Sequence, residues 1–168
     1  MVTDDRGVTH ANPCQGAVFR IEPDGSGFEI FAHGLRNPQE IAFDEFGNLF
    51  TVDNDGDFGD QERWVFIPQG SDSGWRMPYQ FRSSKPWGSK SAYNPWMADG
   101  LYLPAQAGQP AYLTPPLLNY SAGPIGFVKN PGTALDERYR DFFFLAHSNK
   151  RLTAFRAEPL GAGFRMLD

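Results

Sequence analysis

The chain has 168 residues, of which 40% are hydrophobic and 15% aromatic, and its net charge is −5 at neutral pH. That length suits one domain or a piece of one, and the acidic balance argues against nucleic acid, whose phosphates require a basic face. There is no run of 18 apolar residues, so no membrane span is expected, and "MVTDDRGVTH" lacks the apolar stretch of a signal peptide.

Residues 1–15 read as polar and patternless. Their one cysteine, Cys14, permits no internal disulfide and no haem-attachment motif. Then "AVFRIEP", "GFEIFAHG", "EIAFDEFG", "NLFTVDN" and "RWVFIPQG" follow at short intervals. Each is rich in β-branched and aromatic residues, and the joints "PDGSG", "DEFGN" and "PQGSDSG" carry hairpin chemistry. From Gln80 to Tyr120 the pattern lapses into Pro, Gly, Ser and aromatics, which reads as a long ordered insertion. Strands resume with "IGFVKN", "DFFFLAHS", "RLTAFRAEP" and "GFRMLD", and "PGTALDERYR" is expected to hold a short helical turn. No window shows clean 3.6-residue apolar spacing, so helix content is expected to be low.

The order of strands repeats. "IAFDEFGNLFTVDN", "RWVFIPQG" and "SGWRM" match "IGFVKNPG", "DFFFLAHS", "RLTAFRAEP" and "GFRML". Recurring four-stranded antiparallel units are the mark of a β-propeller. The expected fold is all-β, about two and a half blades of a six-bladed propeller. It comprises a half blade at 15–33, a blade at 39–77, the insertion at 80–120 and a blade at 124–168. Ten strands cannot close such a ring, so the expected partners are the remaining blades of a parent propeller, or a second copy of this chain.

Strand parity sorts the connections. "HGLRNPQ", read as joining one blade to the next, and "NDGDFGDQE", joining the second and third strands of a blade, must emerge at the same end. "HSNK" joins them there, and so does the insertion when read as a blade-to-blade connection. Plain turns fall at the other end.

Two loops carry the chemistry. Pro38 fixes its own φ and biases Asn37 toward an extended conformation, which holds Arg36 at the start of a strand. A planar, permanently charged guanidinium suits a carboxylate or quinone oxygen, so Arg36 is the candidate charge stabiliser. Pairing with Asp55 or Asp60 is the structural alternative. In "NDGDFGDQE", Asp55, Asp57, Asp60 and Glu62 offer oxygens, and Gly56 and Gly59 permit a tight turn, as calcium requires; a solvated acidic loop is the alternative. The spacing is not that of an EF-hand. The aromatics of the insertion read mainly as packing that pins a long loop. His10, His33 and His147 have ordinary structural readings, and no order of Ser, His and Asp suggests a nucleophile.

The stretch "GLRNPQEIAFDEFGNLFTVDNDGDFGDQE" with "GSDSGW" resembles the soluble, quinoprotein-type glucose/sorbosone (aldose sugar) dehydrogenases. The similarity is strongest over residues 34–75, and its nearest flavour is the propeller of large bacterial membrane-bound dehydrogenase or haem-binding proteins. The resemblance implies a six-bladed propeller with pyrroloquinoline quinone (PQQ) and calcium. It implies that Arg36 and Asn37 contact the quinone and that backbone carbonyls near Asp55 and Gly56 face the cofactor calcium. Glu62 would match an acidic position serving a second calcium. Sugars or alcohols are the implied substrates, a cytochrome c the implied electron acceptor, and the periplasm or exterior the implied location. Three departures stand out. Ser73 replaces the family's aromatic before Gly74 and Trp75, the family's catalytic histidine lies in an earlier blade, and its quinone-holding lysine comes from a later one. The alternative reading is a non-catalytic propeller scaffold or ligand-binding module that kept the fold.

Overall fold

The structure, a computed structural model, describes residues 1–11, 15–55, 61–75, 114–133 and 135–167. The described residues form two compact units. One holds those of 1–36 and 68–115, the other those of 37–55, 61–67 and 116–167. Among them no helix is long and apolar enough to cross a membrane.

The first unit is made of hairpins. The polar N-terminus is not patternless, because Val2–Thr3 (β1) pairs with Thr9–His10 (β2). Asp4 closes the turn between them. Its carboxylate accepts from the backbone N–H groups of Arg6 and Val8 and from the Arg6 guanidinium, and it meets His10 Nε2 at 3.1 Å. The hydrogen bonds from His10 and then Arg6 hold this carboxyl well below the usual range. A polar local network, with no apolar period, makes this hairpin, so hydrophobic patterning does not reveal it. Gly16–Arg20 (β3) then pairs with Glu29–Leu35 (β4) around the turn predicted at "PDGSG".

The segment around Ser73 was expected to be the last strand of the 39–77 blade. It lies instead alongside β4, where the His33 N–H donates to Ser71 O and the Ser73 N–H to His33 O, both at 3.0 Å, in parallel register. Gly34 makes this possible. Its φ is +79°, and a Cβ there would collide with Asp72 Oδ1 and sit 2.7 Å from the Gly74 nitrogen. Only glycine permits so close an approach of two backbones.

The second unit holds two four-stranded antiparallel sheets. The first is Pro38–Phe43 (β5), Leu49–Asp53 (β6), Glu62–Phe66 (β7) and Leu118–Tyr120 (β8), hydrogen-bonded in that order. Its fourth strand therefore comes from the end of the segment read as the insertion, with Trp64 opposite Leu118 and Glu62 opposite Tyr120. The insertion joins two strands of one blade and does not join two blades; its residues 80–113 lie outside the described residues. The second sheet is Pro124–Lys129 (β9), Phe143–His147 (β10), Leu152–Leu160 (β11) and Gly163–Leu167 (β12), as the pattern of residues 124–168 predicts. The helical turn expected in "PGTALDERYR" is a 3-10 turn over Glu137–Tyr139, capped by Asp136, whose carboxylate accepts from the Arg138 N–H.

The two sheets meet across an aromatic seam. Phe50 and Trp64 of the first sheet and Phe143 and Phe155 of the second are all buried. Trp64 lies 4.2 Å from Phe155 between ring centroids, and Phe50 lies 4.9 Å from Phe143. Such rings supply large apolar area at low entropic cost, with offset and tilted contacts that suit their quadrupoles. A polar tie crosses the same gap: Glu40 of β5 accepts from the Phe127 N–H of β9 at 2.8 Å. At the far end Lys129 reaches Glu45 at 3.1 Å.

Truncating the centre of this seam should unfold the pair of sheets cooperatively. Phe143→Ala is expected to cost about 3–5 kcal/mol in denaturant unfolding. A loss below about 1 kcal/mol would mean that the seam does not hold the sheets together.

Candidate functional site

The site starts from one buried carboxylate. Asp53 ends β6, a strand whose five residues are all buried. An ionised carboxylate in that setting needs partners. Its Oδ2 accepts from Arg63 Nη2 at 2.5 Å, and Arg63 is the residue directly opposite on β7. Its Oδ1 accepts from the backbone N–H of Asn37 at 2.7 Å. The Asn37 carbonyl in turn accepts from the Asn54 N–H at 3.2 Å. The start of β5 is thus fastened through both backbone groups of Asn37 to the end of β6. The sequence pairs an Arg-Asn-Pro turn with an acidic loop because this two-point dock joins their bases.

The neighbouring turns close on the same end of the unit. Residues 121–123 link β8 to β9. The Gly123 carbonyl accepts from the Ser148 N–H at 2.9 Å, which ties this turn to the one after β10. A Cβ on Gly123 would crowd Asn54 Oδ1 at 3.0 Å. Ala122 has φ +84°, a strained value for a residue with a side chain. His147 holds it there: Nδ1 meets the Ala122 carbonyl at 3.1 Å, and Nε2 meets Thr153 Oγ1 at 2.8 Å. A carbonyl only accepts, so Nδ1 carries a proton and donates to it, while Nε2 shares a hydrogen bond with the threonine hydroxyl. Both ring nitrogens are engaged, which fits the structural reading of His147. The Asn54 base of the acidic loop and the turn after β10, both at the end that parity named, and the turn after β8 therefore converge with the start of β5.

Charge is concentrated under these turns. Tyr120 lies opposite Glu62 and packs edge-on against His147 at 5.2 Å. Burial first, and then the charges of Glu62, Asp53 and Asp55, push its phenol far above its usual range. Its hydroxyl oxygen is buried and has no hydrogen-bond partner among the described residues. Glu62 is itself buried at the first position of β7.

The structure brings some of the predicted residues together. Asn37, Asp55 and Glu62 all belong to the second unit, Asn37 exposed and Asp55 half-buried. Arg36 is half-buried at the junction of β4 and β5. Gly56, Asp57 and Asp60 lie outside the described residues. Among the described residues no group of three His, Cys, Asp or Glu side chains gathers in a way that could hold a metal ion. Sequence reasoning missed Asp53, Arg63 and Tyr120. The signal for the first two was available: a single charged residue closes the apolar run "LFTVD", and "ERW" puts an arginine opposite it once the strands are paired. Tyr120 was hidden because its strand was taken for the end of the insertion.

No family model and no curated protein sequence matches this chain. Solved structures do. One is a protein from Thermus thermophilus described as an oxidoreductase (glucose dehydrogenase), 17% identical with a TM-score of 0.57; the match covers 91% of this chain and 40% of that one. Another is the PQQ-bound aldose sugar dehydrogenase of Streptomyces coelicolor, 18% identical with a TM-score of 0.48, covering 89% of this chain and 36% of that one. The chain thus spans about 40% of the length of the first. The likeness to the first is one of fold, and the fold is a partial β-propeller of antiparallel blades.

The buried phenol has a pH signature. Tyr120 stays protonated in the fold while an unfolded tyrosine ionises near pH 10, so its contribution to stability is complete below pH 10 and is lost as pH rises further. Compared with Tyr120→Phe, the native chain should lose about 1.4 kcal/mol more per pH unit above pH 10 in chemical denaturation. Parallel stability profiles of the two proteins would show that the phenol titrates normally.

Proposed function

We propose that this chain forms part of the cofactor site of a quinoprotein dehydrogenase that oxidises sugars or alcohols. The observation that carries the reading is the docking of the Asn37 turn onto the Asp53 and Asn54 end of β6, where the turns after β8 and β10 also converge. The fold likeness to an oxidoreductase described as a glucose dehydrogenase supports it. So does the sequence resemblance over residues 34–75.

The residues present suit a planar quinone that bears carboxylates, and a hard cation. Asn37 has its backbone fixed and its side chain exposed at that end. Arg36 precedes it with a permanent charge. Asp55 and Glu62 place negative charge around an orphaned phenol oxygen, a setting that a divalent cation would neutralise, with Gly56, Asp57 and Asp60 in the same loop. When bound, PQQ with calcium would supply the hydride acceptor. Arg36 would stabilise the charge that develops on its oxygens, and Asn37 would orient it by hydrogen bonding. Substrate specificity and the proton acceptor would come from the rest of the propeller, with a cytochrome c as electron acceptor and a periplasmic or secreted location.

One observation favours the second reading, a calcium-stabilised scaffold or ligand-binding module without chemistry. Among the described residues of the second unit the single histidine, His147, has both nitrogens engaged by the protein. The two readings separate on titration. Under the quinoprotein reading, PQQ should bind in the presence of calcium with quenching of protein fluorescence, and Arg36→Ala should weaken that binding at least about tenfold. Under the scaffold reading, calcium should raise the melting temperature while PQQ does nothing. If chelation leaves the melting temperature unchanged, and Glu62→Ala does likewise, neither cation reading survives.

A further inference from the structure

We infer that Asp53 is the positioning residue of the quinone contact, acting through Asn37, an inference that rests on the quinoprotein reading above. Asn37 is exposed, and among the described residues its side chain makes no hydrogen bond. Its orientation is set by its backbone, whose N–H is taken by Asp53 Oδ1 at 2.7 Å and whose carbonyl is taken by the Asn54 N–H. Asp53 is 2% exposed and its second oxygen is held by Arg63, itself 4% exposed. The carboxylate is therefore a rigid acceptor, fixed from the β7 side, that fixes the turn on the β5 side. The dock stands at the first paired position of β5, since Pro38 lies opposite Asp53. Proline supplies no N–H there, so the Asn37 N–H is the donor through which Asp53 can hold the start of the strand.

The arrangement makes a specific chain of consequence. Removing the Asp53 carboxylate frees the Asn37 N–H and releases the turn, while the rest of β5 stays paired with β6 through Glu40, Ile41, Ala42 and Phe43. A contact displaced by about 1 Å in this way costs a ligand far more than it costs the fold. Arg63 complicates the plain deletion, because a buried guanidinium that loses a carboxylate partner is itself destabilised. The double variant Asp53→Asn with Arg63→Gln removes both charges and leaves an amide oxygen able to accept from Asn37.

The test uses the 168-residue chain with PQQ and calcium as probes and reads three quantities: melting temperature, PQQ affinity, and hydrogen exchange at the Asn37 amide. Phe155→Leu in the aromatic seam serves as a control for general destabilisation. Asp53→Ala should weaken PQQ at least about tenfold and accelerate Asn37 exchange. The control should lower the melting temperature without either effect, and the double variant should recover most of the affinity. If Asp53→Ala changes affinity and Asn37 exchange no more than the control does, Asp53 is merely structural and the inference fails. If the native chain binds no PQQ, the quinoprotein reading fails. Asn37 exchange then still decides whether Asp53 holds the turn.

Discussion

A carboxylate and a guanidinium facing each other inside a sheet impose the order that the rest of this structure obeys. Moving Asp53 and Arg63 out of water costs several kcal/mol per ion, and their attraction alone is a poor guide to net stability. The pair is tolerated because its geometry is filled on both sides: Arg63 on Oδ2, the Asn37 N–H on Oδ1. Three strands are registered by that one group. Asp53 lies opposite Pro38 on one side and Arg63 on the other. An apolar trio in the same place would hold the strands as well, but it would leave the Asn37 N–H without an acceptor and the turn before β5 free to shift.

The aromatic seam is the complement of that constraint. It is non-directional and supplies the bulk of the burial, through rings on adjacent positions of both sheets, whereas the polar dock supplies direction at one end. The division of labour follows the ends of the strands. At one end lie Asn37, Asn54, Gly123 and Ser148, joined by backbone hydrogen bonds and a close approach. At the other lie Lys129 with Glu45 and ordinary turns such as the one in which Asp44 accepts from the Phe46 and Asn48 N–H groups. Strain is admitted at the first end, where Ala122 keeps a positive φ because His147 donates to its carbonyl. Rigid, strained turns over a packed base are what a ligand site requires.

Much of this was legible in the residues. Apolar runs such as "LFTVD" and "FFLAH" gave strands, Asp-Gly and Gly-Asn joints gave turns, and strand parity placed the Asn37 and Asn54 loops at one end. Three things were not legible, each for a physical reason. The N-terminal hairpin is held by Asp4 hydrogen bonds and carries no apolar period. The fourth strand of the β5 sheet was expected at "SGWRM", in the segment around Ser73, because nearness in sequence was taken for nearness in space. That segment pairs with β4, against a glycine whose surroundings leave no room for a side chain. The site's anchoring pair escaped because a charge inside an apolar strand looks like a lapse of pattern until the partner strand is known. Arg36, Asn37, Asp55 and Glu62 are candidates read from chemistry that stands on the surface of the sequence: a fixed turn before proline and a cluster of oxygens beside glycine.

A crystal structure of the chain grown with PQQ and calcium addresses the central claim most directly. The account predicts the quinone against Asn37, at the end of the second unit where Asn54 and the turns after β8 and β10 converge, with the Asn37 N–H still on Asp53. Quinone bound elsewhere on the chain, or a calcium ion seated in the acidic loop with no quinone beside Asn37, would contradict it.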